Sequence, residues 1–169
     1  MGIEAQLCAA DVPAAWMNAP AEWIHIAGIG ANSAQQLQFL QELKEAYPDW
    51  NGTLSIGTCR AMIESDIDTT RTLLEAADVF FLNEEEFHIL CPQGLPEAIN
   101  THVIITRGAE GVEVRGGEHT GCYDAISASV IDPTGAGDSL CGGYIGALTS
   151  GRKTPVNVGI RAAANVLEG

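Results

Sequence analysis

Asp132-Pro133-Thr134-Gly135-Ala136-Gly137-Asp138 sets a bend, small residues and two carboxylates immediately before an amphipathic, helix-like run from Ser139 to Ser150. The pattern suits an anion. Gly135, Ala136 and Gly137 lack bulky side chains, so their N–H groups can converge on a phosphate at a helix N-terminus, where the helix dipole also favours negative charge. Asp138 then stands beside that phosphate, either as a helix cap or as a carboxylate that accepts a proton from an attacking hydroxyl. Taken alone, such a tetrapeptide is most often a tight turn with an Asp cap. It is not a Walker A loop, because the Gly-Lys-Ser/Thr ending is missing.

The segments upstream alternate between strand and helix. Trp23 to Gly28 is a short β-prone run ending in glycine, and Ser33 to Tyr47 carries Leu37, Leu40 and Leu43 at helical spacing. Thr53 to Thr58 predicts a second strand, followed by a helix from Asp68 to Ala77 with Asp68 as its cap and Leu73 and Leu74 on its apolar face. Val79 to Asn83 and His102 to Thr106 are almost wholly apolar, as strands buried on both faces of a parallel sheet are. Glu84 to Leu90 reads as helix, Gly111 to Asp124 as a β-hairpin, Ile126 to Ile131 as a further strand, and two helices close the chain. The pattern implies an α/β fold with a mostly parallel sheet, and in such sheets ligands gather at the C-terminal ends of the strands. Asn83, Thr106-Arg107-Gly108 and Asp132 each end a predicted strand, so three loops are expected at one rim. Pro13, Pro20 and Gly30 mark an irregular start, which gives residues 1–22 as an irregular segment and 23–169 as the domain.

Bulk properties narrow the partners. The chain has 169 residues, 46% of them hydrophobic, which is enough for one continuous core. A formal net charge of −14, from 22 acidic against 8 basic residues, argues against a nucleic-acid or anionic-membrane surface. Any phosphate must then be held locally, by amides, a metal or single basic residues. Five cysteines without Cys-x-x-Cys spacing indicate neither a disulfide framework nor a zinc site, so a reducing cytoplasm is expected. The four histidines lack the His-Glu-x-x-His pattern, and each defaults to a structural or exposed histidine. Met1 to Ala10 has no basic n-region, so no signal peptide is expected, and no apolar run is long enough to span a bilayer.

Two further motifs flank the first. Asn83-Glu84-Glu85-Glu86 puts an amide and carboxylates at a strand-to-helix junction, with Asn83 and Glu86 spaced to meet around one helical turn. Such oxygen-rich ends suit Mg²⁺ with its retained waters, and they equally suit an N-cap with dipole-matched glutamates. Thr106-Arg107-Gly108-Ala109-Glu110-Gly111 is either a hairpin approach or a loop whose glycines admit a nucleotide. In this order the three motifs resemble those of the ribokinase-like carbohydrate kinases, the PfkB family, from about Trp23 to the C-terminus.

The resemblance implies a three-layer α/β/α ribokinase-like fold and ATP-dependent phosphoryl transfer to a hydroxyl of a sugar or sugar-like acceptor. By it, Asp138 is the general base, and the Gly135, Ala136 and Gly137 amides stabilise the transferred phosphoryl group. Asn83 and Glu86 organise Mg²⁺, while Thr106, Gly108 and Gly111 contact ATP and Asp132 supports the loop or a nearby cation. Arg107 reaches a phosphate or pairs with Glu110.

Departures from the family shape the expectation further. Nothing in Met1 to Ala21 resembles the family's sugar-binding motif or its β-stranded lid, and Gly57-Thr58-Cys59-Arg60 keeps only the arginine of an Asp-x-Asn-x-Arg pattern. The expected molecule is therefore the nucleotide-binding, catalytic part of a kinase, truncated at the N-terminus, without the lid and its dimer, and weakly active or inactive by itself. A non-catalytic nucleotide- or phosphate-binding module, and a kinase for a nucleoside or vitamin alcohol, are the alternatives.

Overall fold

The computed structural model describes residues 21–27, 32–96 and 99–168. The irregular start expected for residues 1–22, and the glycines expected to end the first strand, lie almost entirely outside them. In chain order the elements are β1 (Trp23–Ile26), α1 (Ser33–Ala46), β2 (Thr53–Gly57), α2 (Arg60–Ser65), α3 (Ile67–Ala76), β3 (Val79–Asn83), α4 (Glu84–Leu90), β4 (His102–Thr106), β5 (Val112–Arg115), β6 (Gly121–Tyr123), α5 (Ala136–Thr149) and α6 (Pro155–Leu167). The strands lie in the order β1-β2-β3-β4-β5-β6 in one mixed sheet. Residues up to Phe80 with Glu85–Thr101 form one compact unit, and Phe81–Glu84 with His102 onward form another.

In the first unit, β1 and β2 run parallel, with Trp23 opposite Thr53 and Ile26 opposite Ile56. Helix α1 starts at Asn32, whose side-chain oxygen accepts the Gln35 N–H at 3.2 Å, and it buries Gln36, Phe39, Leu40 and Leu43. That face shares Leu40 and Leu43 with the predicted one, and Leu37 stands at its half-buried edge. Helix α3 corrects the sequence reading. Its cap is Asp66, which accepts both the Thr69 N–H (3.0 Å) and the Thr69 hydroxyl (2.7 Å). Those bonds hold the Asp66 carboxyl below its usual range. Asp68 lies in the first turn, paired with Arg71 at 3.1 Å. The short α2 was not anticipated, because Met62 and Ile63, both fully buried, supply too few apolar positions to show a period.

The second unit holds the β-hairpin where it was expected. β4 pairs antiparallel with β5, from Val103 opposite Arg115 to Thr106 opposite Val112, and β5 pairs antiparallel with β6. The predicted strand from Ile126 to Ile131 is absent: residues 124–130 carry no regular structure. Val130 is 61% and Ile131 75% exposed, and Ile131 N–H donates to the Leu167 carbonyl of α6 at 2.8 Å. β-branched residues form a strand only where a neighbour takes their ladder bonds and a face is buried, and neither condition is met here.

Helices α5 and α6 touch backbone to backbone. A Cβ on Gly143 would lie 2.9 Å from the Ala162 Cβ and 3.0 Å from the Gly159 Cα, and one on Gly159 would lie 2.8 Å from the Leu140 carbonyl oxygen. Gly159→Val is therefore expected to cost about 1–3 kcal/mol in a denaturant titration, because the obstructing atom is backbone and cannot rotate away. Gly142, with nothing within 4 Å of an added Cβ, provides the contrast. Gly142→Ala is expected to raise stability by about 0.5–1 kcal/mol.

Tyr144 on α5 is fully buried and meets Phe81 of β3 edge to face, with ring centroids 5.6 Å apart at 83°. Its hydroxyl has no hydrogen-bond partner among the described residues, and burial pushes the phenol up to about 12. An unsatisfied buried hydroxyl is a cost. Tyr144→Phe is expected to leave stability unchanged or raise it by about 1 kcal/mol. Tyr144→Ala is expected to lose about 3–5 kcal/mol, read from the same unfolding curves.

Candidate active site

Gly135 is the N-cap of α5 and has a φ of 80°, a left-handed conformation that an L side chain adopts only with strain. The turn it makes lets the chain leave the extended segment and enter the helix at Ala136, three residues ahead of the predicted start. Ser139 N–H closes the first turn on the Gly135 carbonyl at 2.9 Å, and Ala136 N–H turns to the Pro133 carbonyl at 3.3 Å. Among the described residues, the N–H groups of Gly135, Gly137 and Asp138 have no acceptor. A helix N-terminus with unengaged amides and a glycine at its mouth is an anion-binding geometry. Of the three predicted amides, that of Ala136 is partly committed to the turn.

The two aspartates of this stretch behave differently. Asp138 occupies the first turn of α5, is exposed, and makes no hydrogen bond or ion pair among the described residues. It is thus not the helix cap, a place Gly135 takes. Its charge does reach Cys141 one turn on, whose thiol is pushed up to about 12, mainly by burial and secondly by Asp138. Asp132 is tied up: its carboxylate accepts the Thr134 N–H at 2.8 Å, a bond that, with the Thr134 side chain, holds the carboxyl below its usual range.

The second part of the site is the β4–β5 connection. Arg107 N–H donates to the Gly111 carbonyl at 2.8 Å, and residues Gly108–Glu110 make one 3₁₀ turn between them. Gly111 has a φ of 97°, and a Cβ there would lie 2.0 Å from the Tyr123 carbonyl oxygen, so only glycine closes the loop against β6. Thr106, Gly108 and Gly111 share one open cleft with Ala136 and Gly137, so two separate sequence motifs meet at one surface. The cleft is open and shallow, with a volume of about 150 Å³, below the about 300–1,000 Å³ of most small-molecule sites. Val112, Ile126, Leu140, Ile160 and Leu167 give it an apolar wall suited to a flat ring. That wall was missed in the sequence; the apolar face of α6 was the available signal.

Asn83 and Glu86 do not line this cleft. Asn83 is exposed at the end of β3, and Glu86 is buried in the first turn of α4, where the Thr58 hydroxyl donates to it at 3.1 Å. The neighbouring carboxylates are paired with arginines. Glu84 bonds Arg107 at 2.9 Å, and Glu85 bonds Arg60, which also holds Glu64. No cluster of three or more His, Cys, Asp or Glu side chains that could cage a metal occurs among the described residues. By donor type alone, an amide oxygen and a carboxylate oxygen each belong to the set Mg²⁺ takes, since this ion commonly binds one or two carboxylates and completes its shell with phosphate oxygens and water.

Comparison with known proteins places this arrangement in a class. The chain belongs to the pfkB family of carbohydrate kinases, whose sequence pattern it matches over residues 18–166. It is 35% identical over 85 residues to the ribokinase of Lactococcus lactis subsp. lactis, a match covering 48% of this chain and 28% of that enzyme. Among solved structures it is similar to the Burkholderia thailandensis nucleoside kinase in complex with inosine, with a TM-score of 0.74 and 24% identity over 89% of this chain and 51% of that one. It is similar also to a candidate ribokinase II from E. coli in complex with ATP and Mg²⁺, with a TM-score of 0.73 and 20% identity over 88% of this chain and 53% of that one. The fold is that of the ribokinase-like kinases, and the chain spans about half the length of these solved structures. No helix among the described residues is long and apolar enough to cross a membrane.

The Asp132 cap gives a pH prediction. Its folded carboxyl lies below its unfolded value, so the bond to Thr134 is present above about pH 3.9 and is lost as pH falls through the lower folded value. The Thr134 amide resonance should therefore titrate with a midpoint below that of a free aspartate. In Asp132→Ala the titration should vanish, and a midpoint at or above the free value in the unsubstituted chain would remove the cap from the account.

Proposed function

We propose that this chain carries the nucleotide-binding and phosphoryl-transfer part of an ATP-dependent kinase acting on a hydroxyl of a sugar or nucleoside acceptor. The observation that supports it best is the shared cleft of the Thr106–Gly111 loop and the N-terminus of α5, next to which Asp138 stands exposed and uncommitted. Thr106, Gly108 and Gly111 let a nucleotide approach the backbone, the apolar wall takes its base, and its phosphates run to the α5 amides.

Asp138 then accepts the proton of the acceptor hydroxyl as that oxygen bonds to the γ-phosphorus. The bond from phosphorus to the β,γ-bridging oxygen breaks and ADP leaves. The amides of Gly135, Ala136 and Gly137 face the charge on the transferred group, and because they are fixed by the helix they need no reorganisation as it moves. The partial commitment of Ala136 to Pro133 makes Gly135 and Gly137 the stronger donors. Asn83 and Glu86 each offer an oxygen that would suit Mg²⁺, which, when bound, would neutralise phosphate charge. Asp132 supports the turn through Thr134 and leaves the proton transfer to Asp138.

Calorimetric titration with MgATP tests the binding half of this reading. Asp138→Asn should keep nucleotide affinity within about threefold, since the amides and not the carboxylate meet the phosphates. In the whole protein, phosphoryl transfer by the same variant should fall by about 10²–10⁴-fold, the range for loss of a general base. A variant that transfers phosphate normally would make Asp138 a surface residue and favour a module that binds nucleotide without catalysis.

A further inference from the structure

Arg107 lies in the middle of the nucleotide loop, and the obvious role for a cation there is to meet phosphate. Its geometry is otherwise. Nε lies 2.9 Å from Glu84 Oε1 and Nη2 lies 3.0 Å from Glu110 Oε2, so the guanidinium fork is divided between two carboxylates. Its backbone N–H is also engaged, with the Gly111 carbonyl, and Glu110 N–H returns to the Arg107 carbonyl at 3.0 Å. The Arg107 side chain is 30% exposed, the least of the three partners.

The two carboxylates sit at informative places. Glu110 belongs to the loop itself, whereas Glu84 is the first residue of α4, immediately after Asn83 at the end of β3. One side chain thus ties the loop internally and anchors it to the end of a neighbouring strand. In a chain of net charge −14 a cation so placed also lowers the repulsion that Glu84 and Glu110 would present to an incoming polyanion.

We propose that Arg107 is a positioning residue: it pins the Thr106–Gly111 loop to Glu84 at the head of α4 and thereby sets the loop for nucleotide, without contacting phosphate itself. The proposal rests on the reading of this loop as a nucleotide site. It differs from a phosphate-ligand role in the sign of one measurement. If Arg107 is a pin, loosening its tie to α4 by Glu84→Gln, with the Glu110 pair left in place, weakens nucleotide binding; if it is a phosphate ligand held in reserve, the same change strengthens it.

The test combines amide hydrogen exchange of the unliganded chain with calorimetric titration of MgATP and of adenosine. Arg107→Met and Glu84→Gln should each speed exchange of the Gly108–Gly111 amides by roughly fivefold, the scale of a partly exposed ion pair, while the thermal midpoint changes little. Each should weaken MgATP and adenosine to the same extent, also roughly fivefold, with the double variant no worse than Arg107→Met, because the Arg107–Glu84 pair that anchors the loop is lost in all three. Arg107→Lys, which reaches a single carboxylate, should fall between. Unchanged loop exchange overturns the proposal. So does a loss confined to MgATP together with tighter MgATP binding by Glu84→Gln, which would make Arg107 a phosphate ligand. If the unsubstituted chain binds neither ligand while exchange in the variants still rises, the nucleotide reading fails and the pinning of the loop stands.

Discussion

The approach of α5 to α6 at Gly143 and Gly159 sets the position of almost everything that matters chemically. With backbone against backbone, Leu140 on one helix and Ile160 and Leu167 on the other converge on the same side, and the apolar wall of the cleft is the surface they share. The same contact fixes the axis of α5, and with it the direction in which the unengaged amides at its N-terminus point. A side chain at either glycine would push the helices apart. The wall and the anion-binding end of α5 are therefore consequences of one packing constraint.

Charge is handled with similar economy. The chain is strongly acidic, and the arginine of the proposed nucleotide loop is already spent on glutamates, Arg107 on Glu84 and Glu110. Phosphate is then left to backbone N–H groups, which carry no formal charge and can be aimed by the helix. Glu86 stands apart, buried and receiving a neutral hydroxyl from Thr58.

How much of this could be read beforehand depended on whether the signal was local. β3, α4 and β4 begin and end at the predicted residues, because unbroken apolar runs meet polar residues abruptly at Asn83, Glu84 and Thr106. The cap of α3 was displaced from Asp68 to Asp66, since both are good caps and the choice rests on where Met62 and Ile63 pull the preceding α2. Ile126 to Ile131 had the composition of a strand and lacked only a neighbour, which composition does not specify. In the site, the glycines and carboxylates were legible because their chemistry is carried by residue type at a fixed place in the chain. The cleft wall and the Arg107–Glu84 link join residues far apart in the chain, and no local pattern announces them.

The glycine content of α5 carries a further implication. Gly137, Gly142, Gly143 and Gly146 all lie within this one helix, and each weakens a helix by roughly 1 kcal/mol relative to alanine. Left to itself the segment would be mostly coil. It becomes helical by docking on α6, so the amides at its N-terminus acquire their alignment only when the core beneath them has closed. A nascent or partly unfolded chain would accordingly present Asp138 and its neighbours as an ordinary flexible loop, with no affinity for phosphate. Ligand binding is in this way linked to completion of the fold, and nucleotide in the surroundings would favour the finished form.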